Sequence, residues 1–168
     1  MSITLNNFLK SEGYSSEKLI FLETKHYLIE AKVNGIKGKF ILDTGASNSC
    51  ICTSLENKFK VISKESKEKA SSANSEMTHT KISKSNIIQI RKWEDKINLI
   101  TFDMSHINNA LSEKKINPID GIIGADVLKK SKAVLDYKTN RLYLKLWFNR
   151  FNDLNRRLFY KNITTREN

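Results

Sequence analysis

The chain has 168 residues, of which 39% are hydrophobic, and this length and composition fit one globular domain with short tails. Its 29 lysines and arginines against 18 acidic residues give a formal net charge of +11, which favours weak attraction to acidic partners. No apolar run approaches the ~18–20 residues that a membrane-spanning helix needs.

The positive charge is spread along the chain rather than gathered in one block. Lysines recur between residues 58 and 96 and between residues 114 and 145, and the run at residues 64–69 mixes both signs. Mixed runs of this kind are typical of solvated segments. The aromatic residues follow core spacing instead of forming a stacking surface, so no specific nucleic-acid partner is expected. A basic nucleic-acid-binding β domain is a distant alternative.

Cysteine and histidine usage limits the chemistry. Cys50 and Cys52 are the only cysteines, too few for a disulfide scaffold, and we expect two reduced, packed thiols. The N-terminal segment lacks the pattern of a secretory signal, so the sequence predicts a cytoplasmic protein. His26, His79 and His106 are scattered without the spacing of metal ligands, and neither a metal nor another cofactor is expected.

The first third of the chain changes from polar to strand-like. Residues 1–18 are weakly patterned and predict an N-terminal segment with a short helix around residues 5–9. Over residues 19–42 apolar and polar residues alternate, the period of a half-buried strand. Asn34-Gly35 interrupts this alternation and predicts a tight hairpin turn, because both residue types tolerate positive φ.

Asp43 follows the returning strand and opens the sequence Asp43-Thr44-Gly45-Ala46. This Asp-Thr-Gly occurs once in the chain. Gly45 allows the backbone to turn sharply just after the aspartate. An acid–base site built from paired carboxylates needs two facing aspartates, so a chain with one copy must pair with a second chain to complete such a site.

The middle of the chain is polar and then strand-like again. Residues 63–80 are too long for a structureless loop, and we predict a projecting hairpin with its tip at Ala73-Asn74-Ser75. Two strands are predicted after it, at residues 87–90 and 97–102. Residues 105–117 are predicted to be a surface loop with room for one helical turn.

Near residue 120 an apolar strand runs into Gly124, and a short helix is predicted to follow, with Asp126 as a cap or ion-pair partner. A closing hairpin is predicted over residues 134–144. In the last segment, residues 147–168, Trp147, Phe151, Leu154 and Leu158 recur at spacings of four, three and four.

This last spacing predicts a basic amphipathic helix. We expect its apolar stripe to pack on its own domain or on a dimer partner. Weak contact with an acidic or membrane surface is the alternative.

Two of these motifs together resemble the retropepsin-like (retroviral-type) aspartic proteases of the pepsin clan. They are F-I-L-D-T-G-A-S at residues 40–47 and D-G-I-I-G-A-D-V-L at residues 120–128. The resemblance covers residues 19–146, most of the chain. It implies a mainly β, single-lobe acid protease fold with a short helix after the second motif.

The resemblance also implies a function. The chain would be an aspartic endopeptidase that acts as a homodimer on polypeptide substrates, with Asp43 of each chain forming a catalytic dyad. Thr44 would clamp the dimer, while Gly45 and Ala46 would support the active-site loop. The family's substrate-covering flap would have its tip at residues 73–75.

Flap tips in the family are usually glycine-rich, whereas no glycine occurs between Gly45 and Gly121. This departure keeps a second hypothesis open: a catalytically weak or inactive dimer of the same fold that binds peptides.

Overall fold

The computed structural model describes residues 4–65, 71–72, 75–76 and 80–146. Ala73 and Asn74 of the predicted flap tip lie outside the described residues, as does the predicted C-terminal helix at residues 147–168.

The described residues are mainly β, as the sequence predicts. Their helices are α1 (Leu5–Ser11), α2 (Ser105–Glu113) and α3 (Ala125–Lys130), with a 3-10 helix at Thr53–Leu55. Their strands are β1 (Tyr14–Lys18), β2 (Ile20–Phe21), β3 (Tyr27–Val33), β4 (Ile36–Leu42), β5 (Cys50–Cys52), β6 (Lys64–Glu65), β7 (Ser71–Ser72), β8 (Ser75–Glu76), β9 (Lys81–Ile90), β10 (Trp93–Phe102), β11 (Gly121–Ile123), β12 (Val134–Asp136) and β13 (Arg141–Lys145).

Eight strands form one sheet that curls back on itself. Their order is β2-β3-β4-β11-β5-β10-β9-β6. A further antiparallel pairing joins β3 to β9, with Lys32 opposite Gln89 and Val33 opposite Ile88. Because this pairing links strands from distant positions in the sheet, the sheet is barrel-like.

A second sheet has the order β1-β13-β12. The closing hairpin of β12 and β13 was predicted, but its partner β1 comes from the predicted N-terminal segment. All five residues of β1 pair with β13, from Tyr14 opposite Lys145 to Lys18 opposite Arg141. The division of the chain at residue 18 stays a prediction.

The Asn34-Gly35 turn has the predicted conformation, with φ values of 49° and 85°. The Asn34 side chain also ties this turn to β9. Its Oδ1 accepts a hydrogen bond from the Ile87 N–H at 2.9 Å, and its Nδ2 donates to Asn86 Oδ1 at 3.0 Å. The turn therefore helps hold the barrel closed.

The core consists of two clusters of buried residues. Alternating residues along the strands contribute side chains to one cluster or to the other. In β4, Phe40 and Leu42 face the larger cluster between the sheets, while Ile41 faces a smaller cluster with α2. Cys50 and Cys52 lie in the smaller cluster as buried free thiols, as predicted. Burial raises the pKa of Cys50 to about 12, so this thiol is protonated and unreactive at neutral pH.

One prediction about the middle of the chain was wrong. Residues 105–113 form α2, a helix of 9 residues, instead of a surface loop with a single helical turn. Leu111 is buried and Ile107 packs beside it, four residues earlier on the same helical face. Only these two apolar residues mark the face, so the sequence pattern was weak.

No helix in the described ranges is long and apolar enough to cross a bilayer.

Glu56 links the turn after the 3-10 helix to the barrel. Its Oε1 accepts hydrogen bonds from Ser63 Oγ at 2.7 Å and Thr101 Oγ1 at 2.6 Å. Burial alone would raise the pKa of Glu56, but these hydrogen bonds and the charge of Lys81 together lower it below 4.5. The folded chain therefore favours the ionised carboxylate.

This lowered pKa predicts a pH-dependent stability. The contribution of Glu56 is complete above its unfolded pKa of 4.5 and is lost as pH falls through the lower folded value. We therefore expect the wild type to melt above Glu56→Gln at neutral pH, and the gap in Tm to narrow below about pH 4.5. Thermal melts from about pH 7 to pH 3 measure this difference in Tm. The same substitution at the exposed Glu94, Glu94→Gln, is the control. A gap that stays constant over this range would contradict the assignment.

Candidate active site

Asp43 lies directly after β4 and starts a tight turn. Its N–H donates to the Ile123 carbonyl at 3.0 Å, which fixes the backbone to β11. The Gly45 N–H donates to Asp43 Oδ1 at 2.8 Å. A Cβ on Gly45 would lie 3.3 Å from that oxygen, tighter than ordinary contact, so glycine lets the backbone approach the carboxylate closely. Within the described part of the chain, Oδ2 of Asp43 accepts no hydrogen bond.

The three residues predicted to support the active-site loop, Thr44, Gly45 and Ala46, follow Asp43 directly. Thr44 and Gly45 are exposed, and Ala46 is half-buried. The Ala46 carbonyl accepts a hydrogen bond from the Ala125 N–H at 2.7 Å, and its N–H donates to the Asp43 carbonyl at 3.3 Å. The loop is therefore tied to the start of α3, and its outer surface is left open.

Ser49 and Asp126 hold the far end of the same loop, which sequence reasoning did not foresee. Asp126 accepts from the Ser49 N–H at 3.0 Å on Oδ2 and from Ser49 Oγ at 2.7 Å on Oδ1. Ser49 Oγ in turn accepts from the Gly124 N–H at 2.9 Å. Ser49 is fully buried and Asp126 is half-buried, so the serine end of these hydrogen bonds is shielded from water.

The predicted role of Asp126 as a helix cap was wrong. The residue preceding α3 is Gly124, and no side chain caps the helix. Asp126 lies in the first turn of α3 and uses its carboxylate on Ser49. A serine at the start of a strand is common, so sequence alone gave no hint of this long-range pair.

The second motif is packed against the first without space between them. Gly121 lies in β11, which runs parallel to β4 and antiparallel to β5. A Cβ on Gly121 would lie 2.1 Å from the Cys50 carbonyl oxygen. A Cβ on Gly124 would lie 2.8 Å from the Ala46 carbonyl oxygen. Glycine is thus required at both positions by close backbone approach.

The hairpin proposed as a flap is described only in part. β7 and β8 pair antiparallel, with Ser71 opposite Glu76 and Ser72 opposite Ser75. Of the predicted tip, only the backbone of Ser75 is described. Its role in substrate binding stays a prediction.

The described residues contain no cluster of three or more histidine, cysteine, aspartate or glutamate side chains that would hold a metal ion. The arrangement at Asp43 is a single half-buried carboxylate, held on a braced loop with an open surface beside it. Such a group can accept or donate a proton, and it needs a second carboxylate to do both at once.

Comparisons with known proteins agree with this geometry. A family model described as aspartyl protease matches residues 29–127, more than half of the chain. A retropepsin-like aspartic protease from Rickettsia conorii is similar in structure, with a TM-score of 0.56 and 21% identity over 78% of this chain and 90% of that one. The EIAV protease, solved in complex with the inhibitor HBY-793, has a TM-score of 0.52 and 18% identity over 70% of this chain and 98% of that one.

No curated protein sequence matches the chain. The two structural similarities establish the retropepsin-like fold that the sequence predicts. Together with the family match over both glycine-bearing motifs, they show that the chain belongs to the aspartyl protease family.

Proposed function

We propose that the chain is an aspartic endopeptidase that works as a homodimer, each chain contributing Asp43 to a dyad. The observation that carries the proposal is the position of Asp43 on a loop whose two ends are fixed by Ile123 and Asp126. A catalytic carboxylate must be held in place by its surroundings, and the hydrogen bonds at both ends of this loop hold Asp43 in place.

The dyad would hydrolyse peptides by acid–base catalysis. Two carboxylates at hydrogen-bond distance cannot both ionise, so they share one proton. The ionised carboxylate would take a proton from a water molecule as that water attacks the carbonyl carbon, and the protonated one would donate its proton to the carbonyl oxygen, which gives a tetrahedral diol. As the diol collapses, the carbon–nitrogen bond would break and the first carboxyl would give its proton to the leaving amine nitrogen. The second carboxylate would take back a hydroxyl proton as the product carboxyl group forms. No metal or organic cofactor is required for these steps.

The exposed surface at Thr44 and Gly45 supports pairing of two chains at this point. A twofold axis beside Asp43 brings the same surface of both chains together, and Thr44 would then clamp one loop to the other. Substrate would lie extended beneath the hairpin of β7 and β8, with its backbone added as a strand. The two free buried cysteines support the predicted cytoplasmic location.

Asp43→Asn tests the proposal directly. Purified wild type and variant are incubated with a defined peptide library, and products are identified by mass spectrometry. We expect cleavage by the wild type and a loss of at least roughly a thousandfold in the variant, because the amide cannot act as a base. Asparagine has nearly the same shape, so thermal melts should show that the fold is kept. Equal cleavage by both proteins would remove the proposal.

The second candidate is a peptide-binding dimer that does not cut. The absence of glycine between Gly45 and Gly121 favours it, because a stiffer hairpin closes less readily over a substrate. In the same experiment this candidate predicts that library peptides bind to both proteins and that neither cleaves them.

A further inference from the structure

A polar pocket borders the loop that carries Asp43. It has a volume of about 430 Å³ and is walled by this loop, by α3 and by the β9–β10 hairpin. Its polar lining residues are Asn48, Ser85, Lys96, Asn98, Asp126 and Lys130. Asn48 belongs to the loop itself, two residues after Ala46, so an occupant of the pocket would contact the loop.

An irregular stretch of the β9–β10 pairing shapes one wall. The register of the pairing shifts between Ile97 and Leu99. On the opposite strand, Ser85 has φ of 61°, and its N–H donates to Asn98 Oδ1 at 3.1 Å. Such bulges interrupt a ladder and redirect side chains, and they are frequent beside active sites.

Most hydrogen-bond acceptors in this pocket are already occupied. Both carboxylate oxygens of Asp126 accept from Ser49, and Oδ1 also accepts from the Val127 N–H at 2.8 Å. Asn98 Oδ1 is taken by Ser85. The amide of Asn48 is the exception, since neither of its atoms has a partner among the described residues.

The donors, in contrast, remain available. The Asn98 Nδ2 group and the exposed Lys96 ammonium have no hydrogen-bond or ion-pair partner within the described ranges. Lys130 Nζ is held by Asp95 Oδ1 at 3.0 Å and by the Lys96 carbonyl at 2.7 Å, which fixes a second cation at the rim. With Asp95 counted, two lysines face two aspartates, so the pocket region carries no net charge. Because Lys130 is paired with Asp95, Lys96 supplies the ammonium that is left for an occupant. An unpaired ammonium beside a spare amide donor suits an oxyanion.

We propose that this pocket receives an acidic side chain of the peptide substrate, at a position away from the bond that is cut. The inference rests on the proposed function. An extended peptide advances about 3.3 Å per residue, so side chains two to four residues from the cleaved bond lie roughly 7–13 Å along the cleft. Asn48 follows Asp43 by five residues in the same braced loop, so at most about 18 Å separates their Cα atoms.

Binding to a protein that cannot cut keeps this inference separate from the proposed function. A random decapeptide library is passed over immobilised Asp43→Asn protein, and bound peptides are sequenced. We expect Asp and Glu to be enriched at one position by roughly two- to fivefold, the effect of one partly exposed ion pair. Adding Lys96→Glu should abolish the enrichment. Adding Lys92→Glu, the same charge change in the exposed β9–β10 turn outside the pocket, should leave it intact.

A free oxyanion is the other source of the same chemistry. Inorganic phosphate is therefore titrated into the Asp43→Asn protein while the NMR signals of Asn48 and Asn98 are followed. If phosphate shifts these signals while the peptides show no acidic preference, the pocket binds free anions and the substrate assignment is overturned. If neither probe responds, the pocket assignment is overturned altogether. Acidic enrichment without any cleavage by the wild type would instead support the pocket and remove the endopeptidase proposal.

Discussion

Adding a ninefold excess of Asp43→Asn chains to a fixed amount of wild type should reduce the proposed peptidase activity to about one tenth. In a homodimer with one aspartate per chain, a mixed dimer has a single ionisable carboxylate and cannot supply both base and acid. When chains exchange at random, a wild-type chain meets another wild-type chain in about one pairing in ten. The loss comes from pairing, since the variant does not act on the wild-type chain chemically.

The mixture is unfolded and refolded together so that partners exchange, and cleavage of one library peptide is then followed. The matched control adds the same excess of wild-type chains, which should raise activity about tenfold in proportion to the enzyme present. Analytical ultracentrifugation verifies that the mixture is dimeric. Full activity in a mixture that is dimeric would mean that each chain works alone, and the shared dyad would be wrong.

The parts of the fold that sequence predicts well are those specified by neighbouring residues. The Asn34-Gly35 turn follows from the positive φ that these two residue types tolerate, and alternation marks the strands on either side. The turn at Asp43 is similarly local, because Gly45 donates to a side chain only two residues away. A short stretch of chain contains all the information that such features need.

Contacts between distant residues account for most of what the sequence did not reveal. Ser49 and Asp126 are 77 residues apart, and nothing beside either one indicates the pairing. β9 also begins earlier than predicted, because buried polar residues hide its alternation. Asn86 Nδ2 donates to Ser83 Oγ at 2.9 Å, so both residues are satisfied inside the barrel although neither is apolar.

Gly121→Ala should prevent stable folding, because the added methyl group has no space. It would lie 2.1 Å from the Cys50 carbonyl oxygen and 3.1 Å from the Ile51 Cα, and both are backbone atoms of a paired strand. The clash can be relieved only if β11 separates from β5. We expect this to lower the free energy of unfolding by about 3 kcal/mol or more.

The matched control is Gly35→Ala, the same change at a glycine with nothing within 4 Å of the added Cβ. Its φ of 85° is unfavourable for alanine, so a cost of about 1 kcal/mol is expected there. Both substitutions restrict the unfolded chain equally. The difference in free energy of unfolding between the two variants therefore comes from the folded state. Urea unfolding followed by circular dichroism measures both.

Peptidase activity of Gly121→Ala extends this prediction from the fold to the site. The Ile123 carbonyl accepts from the Asp43 N–H, and the Gly124 N–H donates to Ser49 Oγ, so a shift of β11 moves both ends of the loop that carries Asp43. Any fraction of this variant that folds should therefore cut peptides far more slowly than Gly35→Ala. A Gly121→Ala protein with the stability and activity of Gly35→Ala would show that the two motifs are not packed as closely as the structure places them.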